Sequence, residues 1–334
     1  MTPGTRSFGT TADGQEVKAV TIAAGELSAV ILTYGATLQD IRLAGVPWPL
    51  TLGSDSLAAY ERLMRYNGAI VGPVANRIAG AKARIAGTEH QFDPNEAGRT
   101  TLHGGGEGIS AQVWQIASVS DAFVTMEIDL PDGQGGFPGN RRISATFSVS
   151  APATLRIELS ATTDRETILS LANHSYWNLD GGADTSGQRL SIAADHYSPV
   201  DEALIPTGEV RAVDGTDFDF RAGRMLGPAC VVDHNFCLTA DGSVKPALKL
   251  EGAKGVTMQV ATTAPGIQIY TAGRMNSAPA IGLAGQPYGA FAGVAIEPQL
   301  WPDAPHHAHF PSVALRPGET WRQESTWSFS RKAD

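Results

Sequence analysis

The 334-residue chain is poor in cysteine, with Cys230 and Cys237 as its only two thiols. Two cysteines seven positions apart form no disulfide framework, and neither belongs to a Cys-x-x-Cys pair. The opening residues, MTPGTRSFGTTADGQEVKAV, contain no apolar segment of the kind that a signal peptide needs. Together these features predict a reduced, cytoplasmic protein.

Long hydrophobic runs and basic residues are also scarce. No segment approaches the ~18 apolar residues that a membrane-spanning helix requires. The chain has 25 Lys and Arg against 34 Asp and Glu, a formal net charge of −9. An acidic surface repels phosphate backbones, and no basic tract is present, so we expect neither a nucleic-acid partner nor a membrane partner. A hydrophobic content of 42% is typical of a folded globular protein rather than a disordered one.

Strand-like alternation is what the chain does contain. Apolar and polar residues alternate over residues 124–130 (VTMEIDL) and 155–161 (LRIELSA), which predicts antiparallel strands with one buried face. Residues 29–45 predict two more half-buried strands around a bend at Tyr34-Gly35. Helical patterning is confined to residues 54–64, with Ser54 or Asp55 as its cap.

These patterns favour the all-β class. No regular alternation of strands and helices appears, so a parallel doubly wound sheet is not expected. We predict one large antiparallel β-sandwich with very little helix, covering residues 1–334 as a single domain. A boundary near residue 150 is the alternative, although no change of composition supports it.

Clustered polar residues interrupt the strand pattern in several places. Asn76-Arg77 lies among small residues, so a turn can present the guanidinium, a planar donor for several oxygens. The alternative is a surface arginine that caps a turn. His103 precedes three glycines, which let the backbone approach a ligand closely. The alternative there is a histidine in a flexible loop.

His174 lies between Asn173 and Ser175, just ahead of Tyr176-Trp177. It is either a packed core histidine or a proton donor in a sugar pocket, because aromatic faces suit the C–H faces of sugars. For Trp177 we favour a place in the core.

Other polar groups lie on predicted strands. Glu297 follows an apolar run, where a buried carboxylate is costly unless it is paired or tuned for proton transfer. Asp233 opens an apolar segment, and Gln268 shares a strand face with Gly266 and Tyr270 that can line a pocket. For Gln268 alone, an outward-facing polar residue is the alternative.

Three histidines near the C-terminus, His306, His307 and His309, raise the question of a metal. In an extended loop this pattern does not usually converge on one ion, and a metal site also needs groups that orient its ligands. We therefore predict no metal. No nucleotide or cofactor fingerprint appears either, so we expect no cofactor.

The chain resembles the aldose 1-epimerase (galactose mutarotase) family over nearly its whole length. Nine segments occur in the order found in that family: GAIVGPVANRIAGA, LHGG, DGQGGFPGN, NHSYWNL, IPTGEV, GTDFDFR, VDHNFCL, PGIQIYT and IEPQLWPDAPHH. The resemblance implies a single large β-sandwich, the supersandwich of galactose mutarotases, with a broad sugar cleft.

The resemblance also implies site residues. Glu297 corresponds to the catalytic base, His174 to the general acid and His103 to the second active-site histidine. Substrate-binding positions correspond to Arg77, Asp233 and Gln268, with Asn76 beside Arg77.

The implied reaction interconverts the α and β anomers of a free aldose such as galactose or glucose. Glu297 takes the anomeric proton while His174, kept protonated at neutral pH by nearby negative charge, protonates the ring oxygen. The expected partner is a monosaccharide, and the expected assembly is a monomer or homodimer.

The chain departs from the family pattern at Asn67, Pro73, residues 109–114 and His306. We expect these departures to reshape the rim of the cleft and so the preferred sugar.

Several alternative functions stay open. One is a mutarotase of a pentose, an oligosaccharide end or a phosphorylated sugar, although phosphate calls for an extra Arg or Lys pair. Another is a non-catalytic carbohydrate-binding protein, which does not need an acid–base pair. A third is a glycoside hydrolase that combines Glu297 with Asp233 or Asp303, at a separation of about 5–9.5 Å.

Overall fold

The computed structural model describes residues 1–332, and most of their regular structure is strand. In chain order the strands are β1 (Gly4–Thr10), β2 (Glu16–Ala24), β3 (Leu27–Leu32), β4 (Thr37–Leu43), β5 (Ile70–Val71), β6 (Arg77–Ile78), β7 (Lys82–Ile85), β8 (Thr88–Gln91), β9 (Thr101–Leu102), β10 (Gln115–Val119), β11 (Phe123–Leu130), β12 (Arg141–Ser150), β13 (Thr154–Thr163), β14 (Thr167–Ile168), β15 (Ala172–Asn173), β16 (Tyr176–Trp177), β17 (Arg189–Ile192), β18 (His196–Ser198), β19 (Arg211–Ala212), β20 (Arg224–Met225), β21 (Asp233–Cys237), β22 (Lys245–Glu251), β23 (Val256–Thr262), β24 (Gly266–Tyr270), β25 (Val294–Gln299), β26 (Ala314–Leu315) and β27 (Trp321–Arg331).

Helical structure is short and scattered within residues 1–332. It comprises α1 (Leu57–Tyr60) and the 3-10 turns Ala79–Ala81, Ile109–Ala111, Gln134–Gly136 and Ala304–His306. The predicted all-β class with very little helix is confirmed.

The prediction of a helix over residues 54–64 is wrong in its extent and its cap. The helix begins after Ser56. The residue at the cap position is Ser56, which makes no side-chain cap hydrogen bond. The Ser54 hydroxyl accepts from the Ser56 N–H at 3.2 Å and donates to the Ile281 carbonyl at 2.7 Å, outside the helix.

The largest sheet, here called the large sheet, has the antiparallel order β10-β11-β12-β13-β27-β23-β22-β17-β20. On β11 and β13 the predicted alternation is confirmed, since apolar residues such as Val124, Met126 and Leu155 are buried. β12 and β13 pair from Arg141 with Thr163 to Ser150 with Thr154. Strands from both sides of residue 150 therefore belong to one sheet.

A second sheet, the edge sheet, has the order β1-β2-β3-β4. We predicted half-buried strands for residues 29–45, and this is wrong because β3 is buried on both faces. Ala29 and Ile31 pack into the core that the large sheet covers, whereas Val30 and Leu32 pack into a cluster with Tyr60. The segment around α1 thus covers the face that we expected to be in solvent.

A third sheet, the cleft sheet, has the order β16-β25-β24-β21-β18-β19. Ile269 and Ile296 are register partners, as are Gln268 and Glu297. Because successive side chains point to opposite faces, the isoleucines enter the core while Gln268 and Glu297 share the other face. The sequence alternation of β24 and β25 therefore gives this sheet one apolar and one polar face.

The core behind the cleft sheet is rich in aromatic residues. Trp177 is 0% exposed and its ring lies 6.2 Å from that of Trp327 and 5.7 Å from that of Phe329. The prediction that Trp177 is a core residue is confirmed. Its packing anchors the short strand β16, which follows His174 directly in the chain.

Two further sequence predictions concern cysteines and membranes. Cys230 and Cys237 are free thiols, as predicted. Among residues 1–332 there is no helix of sufficient length and apolarity to cross a membrane.

Candidate active site

A cleft of about 440 Å³ opens over the polar face of the cleft sheet. Among the residues predicted for a site, those that line it are Asn76, Arg77, His103, His174, Asp233 and Glu297. These residues come from segments far apart in the chain, and the fold brings them together as expected.

His174 is held by the backbone of the segment before β5. Its N–H donates to the Ala69 carbonyl, and its own carbonyl accepts from the Gly68 N–H, both at 2.9 Å. The neighbouring residue Asn173 pairs with Ile70 between β15 and β5. This bracing fixes the main chain of His174 while its imidazole enters the cleft.

Glu297 and His174 form the closest pair of titratable groups in the cleft. The Oε1 atom of Glu297 lies 3.5 Å from Nε2 of His174. Glu297 is 1% exposed and His174 is 5% exposed. The other atoms of the pair, Oε2 of Glu297 and Nδ1 of His174, are buried and have no hydrogen-bond partner among the described residues.

Burial controls the protonation of this pair. It raises the pKa of Glu297 well above its usual value, with the Asp233 charge acting in the same direction, and it lowers the pKa of His174 to about 4. We expected a protonated His174 beside an ionised Glu297 at neutral pH. Burial works against that expectation, because desolvation favours the neutral form of both groups. It favours a proton on Glu297 over a proton on His174.

His103 is fixed in one tautomer. Its ring Nδ1 accepts a hydrogen bond from the backbone N–H of Asn76 at 3.1 Å, and the backbone N–H of His103 donates to the Asn76 carbonyl at 2.9 Å. Burial, together with the charges of His174 and Arg77, lowers the pKa of His103 well below its usual value. A neutral imidazole whose Nδ1 is an acceptor carries its proton on Nε2. His103 is therefore a hydrogen-bond donor to the cleft.

The same tautomer bears on metal binding. One potential ligand atom from each of His103, His174 and Glu297 lies within 4.8 Å of the others, a set that by residue type suits a transition metal. However, Nδ1 of His103 is engaged by Asn76 and Nε2 carries the proton. The donor set therefore does not fit a metal ion.

The histidines near the C-terminus do not converge on one point. His306 Nδ1 lies 2.7 Å from Asp303 Oδ1, and His307 Nε2 lies 3.5 Å from Asp303 Oδ2. His309 Nε2 instead bonds the Gly208 carbonyl at 2.8 Å.

Arg77 lies next to His103 because β6 and β9 pair Arg77 with Leu102. Its Nε and Nη2 groups donate to the two carboxylate oxygens of Glu96, both at 2.8 Å. The Nη1 group has no such partner among the described residues. Arg77 is thus an interior arginine in a bidentate ion pair, and the alternative of a surface arginine that caps a turn is wrong.

Asp233 and Gln268 are joined within the cleft sheet. Gln268 Nε2 donates to Asp233 Oδ1 at 2.7 Å. Gln268 is 3% exposed and is not part of the cleft lining. One N–H of its amide is taken by Asp233, and its role in binding the sugar stays a prediction.

Asp303 and three of the departures from the family pattern are not part of the cleft lining. The Asp303 carboxylate accepts from the Ala79 N–H at 2.9 Å and is not part of the lining. Asn67, Pro73 and His306 do not line the cleft either. The effect of these three positions on the preferred sugar stays a prediction.

Sequence reasoning missed several groups of the cleft. The lining also contains Tyr66, Leu204, Val231, Arg274 and Phe291. The Tyr66 ring lies 4.7 Å from that of His103, and its position just before the GAIVGPVANR segment was the one available signal. The others lie in loops with no recognisable pattern.

Known proteins that resemble this chain in sequence are aldose 1-epimerases and galactose mutarotases. Residues 18–328 match the family model for aldose 1-epimerase. Galactose mutarotase of Homo sapiens is 35% identical over 90% of this chain and 90% of its own. Aldose 1-epimerase of Escherichia coli (strain K12) is 32% identical over 95% of this chain and 96% of its own.

Solved structures of aldose epimerases have a similar fold. The crystal structure of an aldose epimerase homologue from C. elegans has a TM-score of 0.87 at 32% identity and covers 94% of this chain and 98% of its own. A galactose 1-epimerase from Lactobacillus acidophilus has a TM-score of 0.84 at 26% identity, with coverage of 99% and 100%.

Proposed function

Because the chain belongs to the aldose 1-epimerase family and is therefore a mutarotase, we propose that Glu297 and His174 transfer the protons and that galactose or glucose is the substrate. The observation that carries this proposal is the 3.5 Å separation of Glu297 Oε1 and His174 Nε2. Mutarotation acts on two oxygens bonded to the same carbon, the anomeric hydroxyl and the ring oxygen. An acid and a base that serve both must lie close together.

The reaction moves two protons and breaks one bond. Glu297 removes the proton of the anomeric hydroxyl as the C1–O1 bond becomes a carbonyl. The C1–O5 bond breaks, its electron pair goes to O5, and O5 takes the proton of His174. After rotation about C1–C2, the same steps in reverse close the ring on the other face. Each such proton transfer by a positioned side chain typically contributes about 10²–10⁴-fold.

The effect of burial on the two pKa values fits this cycle. Ring opening starts with a proton on His174 and ends with a different proton on Glu297, and both forms have the same total charge. Burial favours the second form because it raises the pKa of Glu297 and lowers that of His174. Sugar hydroxyls that replace the missing hydrogen bonds of Glu297 Oε2 and His174 Nδ1 stabilise the charged form that begins the reaction.

The remaining residues bind the sugar in this proposal. His103 donates through Nε2 and does not transfer a proton, since its pKa lies well below its usual value. Arg77, Asn76 and Asp233 contact hydroxyls from the cleft lining. Gln268 acts indirectly by holding the Asp233 carboxylate.

Polarimetry on freshly dissolved sugars tests the substrate. We expect the protein to accelerate the approach to anomeric equilibrium most strongly for α-D-galactose or α-D-glucose, and less for D-xylose or L-arabinose. A preference for the pentoses would reassign the substrate. Acceleration of none of the four would leave a carbohydrate-binding protein without this activity.

A glycoside hydrolase that uses Glu297 and Asp233 is the competing enzyme class, because both carboxyls line the cleft. Asp303 is excluded as the second carboxyl by its contacts with Ala79 and His306. We expect no nitrophenol release from nitrophenyl galactosides or glucosides. Release that Glu297→Gln abolishes would favour the hydrolase.

A further inference from the structure

Within residues 1–332, Glu96 is the one acidic residue whose carboxylate forms an ion pair with the guanidinium of Arg77. The pair is bidentate, with both N–H to O distances at 2.8 Å. From this contact we infer that Glu96 is a positioning residue that acts through Arg77. It aims the Nη1 edge at the sugar, and it makes the cleft select neutral aldoses over anionic ones. This inference rests on the mutarotase function proposed above.

The turn that carries Glu96 is braced on both sides. The Glu96 N–H donates to the Thr100 carbonyl at 3.0 Å, and the Thr100 N–H donates to the Glu96 carbonyl at 3.1 Å. The Asn95 amide accepts from the Leu102 N–H at 2.7 Å and donates to the Leu102 carbonyl at 3.0 Å. Since Leu102 is also the strand partner of Arg77, the carboxylate and the guanidinium are fixed relative to one another.

This geometry decides which edge of Arg77 remains for a ligand. A guanidinium has five N–H donors in a plane, and Glu96 takes the edge formed by Nε and Nη2. A sugar hydroxyl needs one or two donors, which Nη1 supplies. A phosphate or carboxylate on the sugar prefers a two-donor fork. Glu96 takes the fork of Nε and Nη2, and its negative charge opposes a second anion at the remaining fork of Nη1 and Nη2.

The charges around the cleft also favour neutral sugars over anionic ones. Arg77 is compensated by Glu96, while Asp233 and Glu297 add acidic groups to the cleft and Arg274 adds a cation at its wall. Loss of the Glu96 charge makes the cleft one unit more positive whatever the others do. Relative affinity for an anionic sugar must then rise.

A purely structural role for Glu96 is the competing explanation. The Glu96 side chain is 32% exposed and that of Arg77 is 11% exposed, so solvent reaches the Glu96 side of the pair, and a glutamine there keeps an oxygen that accepts from the guanidinium. We therefore expect Glu96→Gln to fold normally and to change binding rather than stability. Asp129→Asn is the matched control, because Asp129 also pairs bidentately, with Arg142 at 2.8 and 2.9 Å, on the large sheet.

The first experiment measures kcat and KM for galactose in these variants. Glu96→Gln is expected to raise KM about tenfold, the scale of one hydrogen bond to a charged group, with kcat nearly unchanged and Asp129→Asn like wild type. In an Arg77→Ala background, Glu96→Gln should add nothing further. An unchanged KM, or an equal cost with and without Arg77, would overturn the inference.

The second experiment measures inhibition by galactose 6-phosphate. Binding should tighten in Glu96→Gln and stay constant in Asp129→Asn. Equal inhibition of wild type and Glu96→Gln would remove the selectivity part of the inference. A wild type without mutarotase activity would defeat the proposed function instead, so the two failures are distinguishable.

Discussion

The Glu297 carboxylate and the His174 imidazole face each other across 3.5 Å at the floor of the cleft. One comes from the polar face of β25 and the other from the short segment between β15 and β16. Both are almost entirely buried, so the environment disfavours either charge alone. The protonation of one group therefore depends on that of the other, and several predictions depend on this pair.

The pH profile of activity should be bell-shaped. As the pH falls through about 4, His174 is protonated while Glu297 already carries a proton, and the pair has no base. As the pH rises through the raised pKa of Glu297, the pair loses its last proton and has no acid. The measurement is kcat/KM against pH, with spontaneous mutarotation in each buffer subtracted. An acid limb with its midpoint near pH 6.5 would contradict the assigned burial of His174.

Glu297→Gln should stabilise the fold at neutral and alkaline pH. The unfolded chain ionises this carboxyl near its usual value of 4.5, whereas the folded chain keeps the proton to higher pH. Stability of the wild type therefore falls as pH rises through that window, at about 1.4 kcal/mol per pKa unit. Urea unfolding at several pH values should show an advantage of the variant that grows with pH. A constant or negative difference would contradict the raised pKa.

His174→Asn provides a control of opposite sign in the same measurement. The pKa of His174 is lowered from 6.5 to about 4, so the unfolded chain binds an extra proton between these values. The wild type loses stability as the pH falls through that range. The variant should lose less, and its relative gain should appear below pH 6.5 rather than above it.

His103 should remain neutral, with its proton on Nε2, across the range in which histidines usually titrate. The Asn76 N–H occupies its Nδ1 at 3.1 Å, and burial lowers its pKa. Nitrogen-detected NMR of the ring should show no titration between about pH 5 and 8, around the usual histidine value. Dialysis against a chelator should likewise leave activity unchanged, whereas loss of activity restored by zinc would contradict the tautomer.

Trp177→Ala should destabilise the protein by about 3–5 kcal/mol, the usual cost of deleting a large buried aromatic residue. Trp177 is 0% exposed and packs against Trp327. Trp177→Phe keeps part of the contact and should cost less in the same urea titration. A loss below about 1 kcal/mol for the alanine variant would mean that this core is less closely packed than described.

The sequence predicted strands best where only one face is buried. The alternation of apolar and polar residues over 124–130 predicted β11 correctly, because the polar face of this strand is turned toward solvent. The same reasoning failed on β3, whose second face is covered by the segment around α1. That contact joins residues far apart in the chain, and no local pattern reports it.

The site shows a similar division. The family resemblance pointed to Glu297, His174 and His103, and the fold places all three in one cleft. Protonation states could not be predicted, since they depend on burial and on hydrogen bonds such as that of Asn76 to His103. Nor could the sequence pair Glu96 with Arg77, because a turn residue 19 positions away has no pattern that marks it as a partner.

The central claim is that Glu297 and His174 together perform the proton transfers. The most direct test is polarimetry of α-D-galactose mutarotation with wild type, Glu297→Gln and His174→Asn, with Glu127→Gln on the large sheet as a control. We predict losses of at least about 10²-fold in kcat for the two cleft variants and none for the control. Near-normal turnover by either Glu297→Gln or His174→Asn would contradict it.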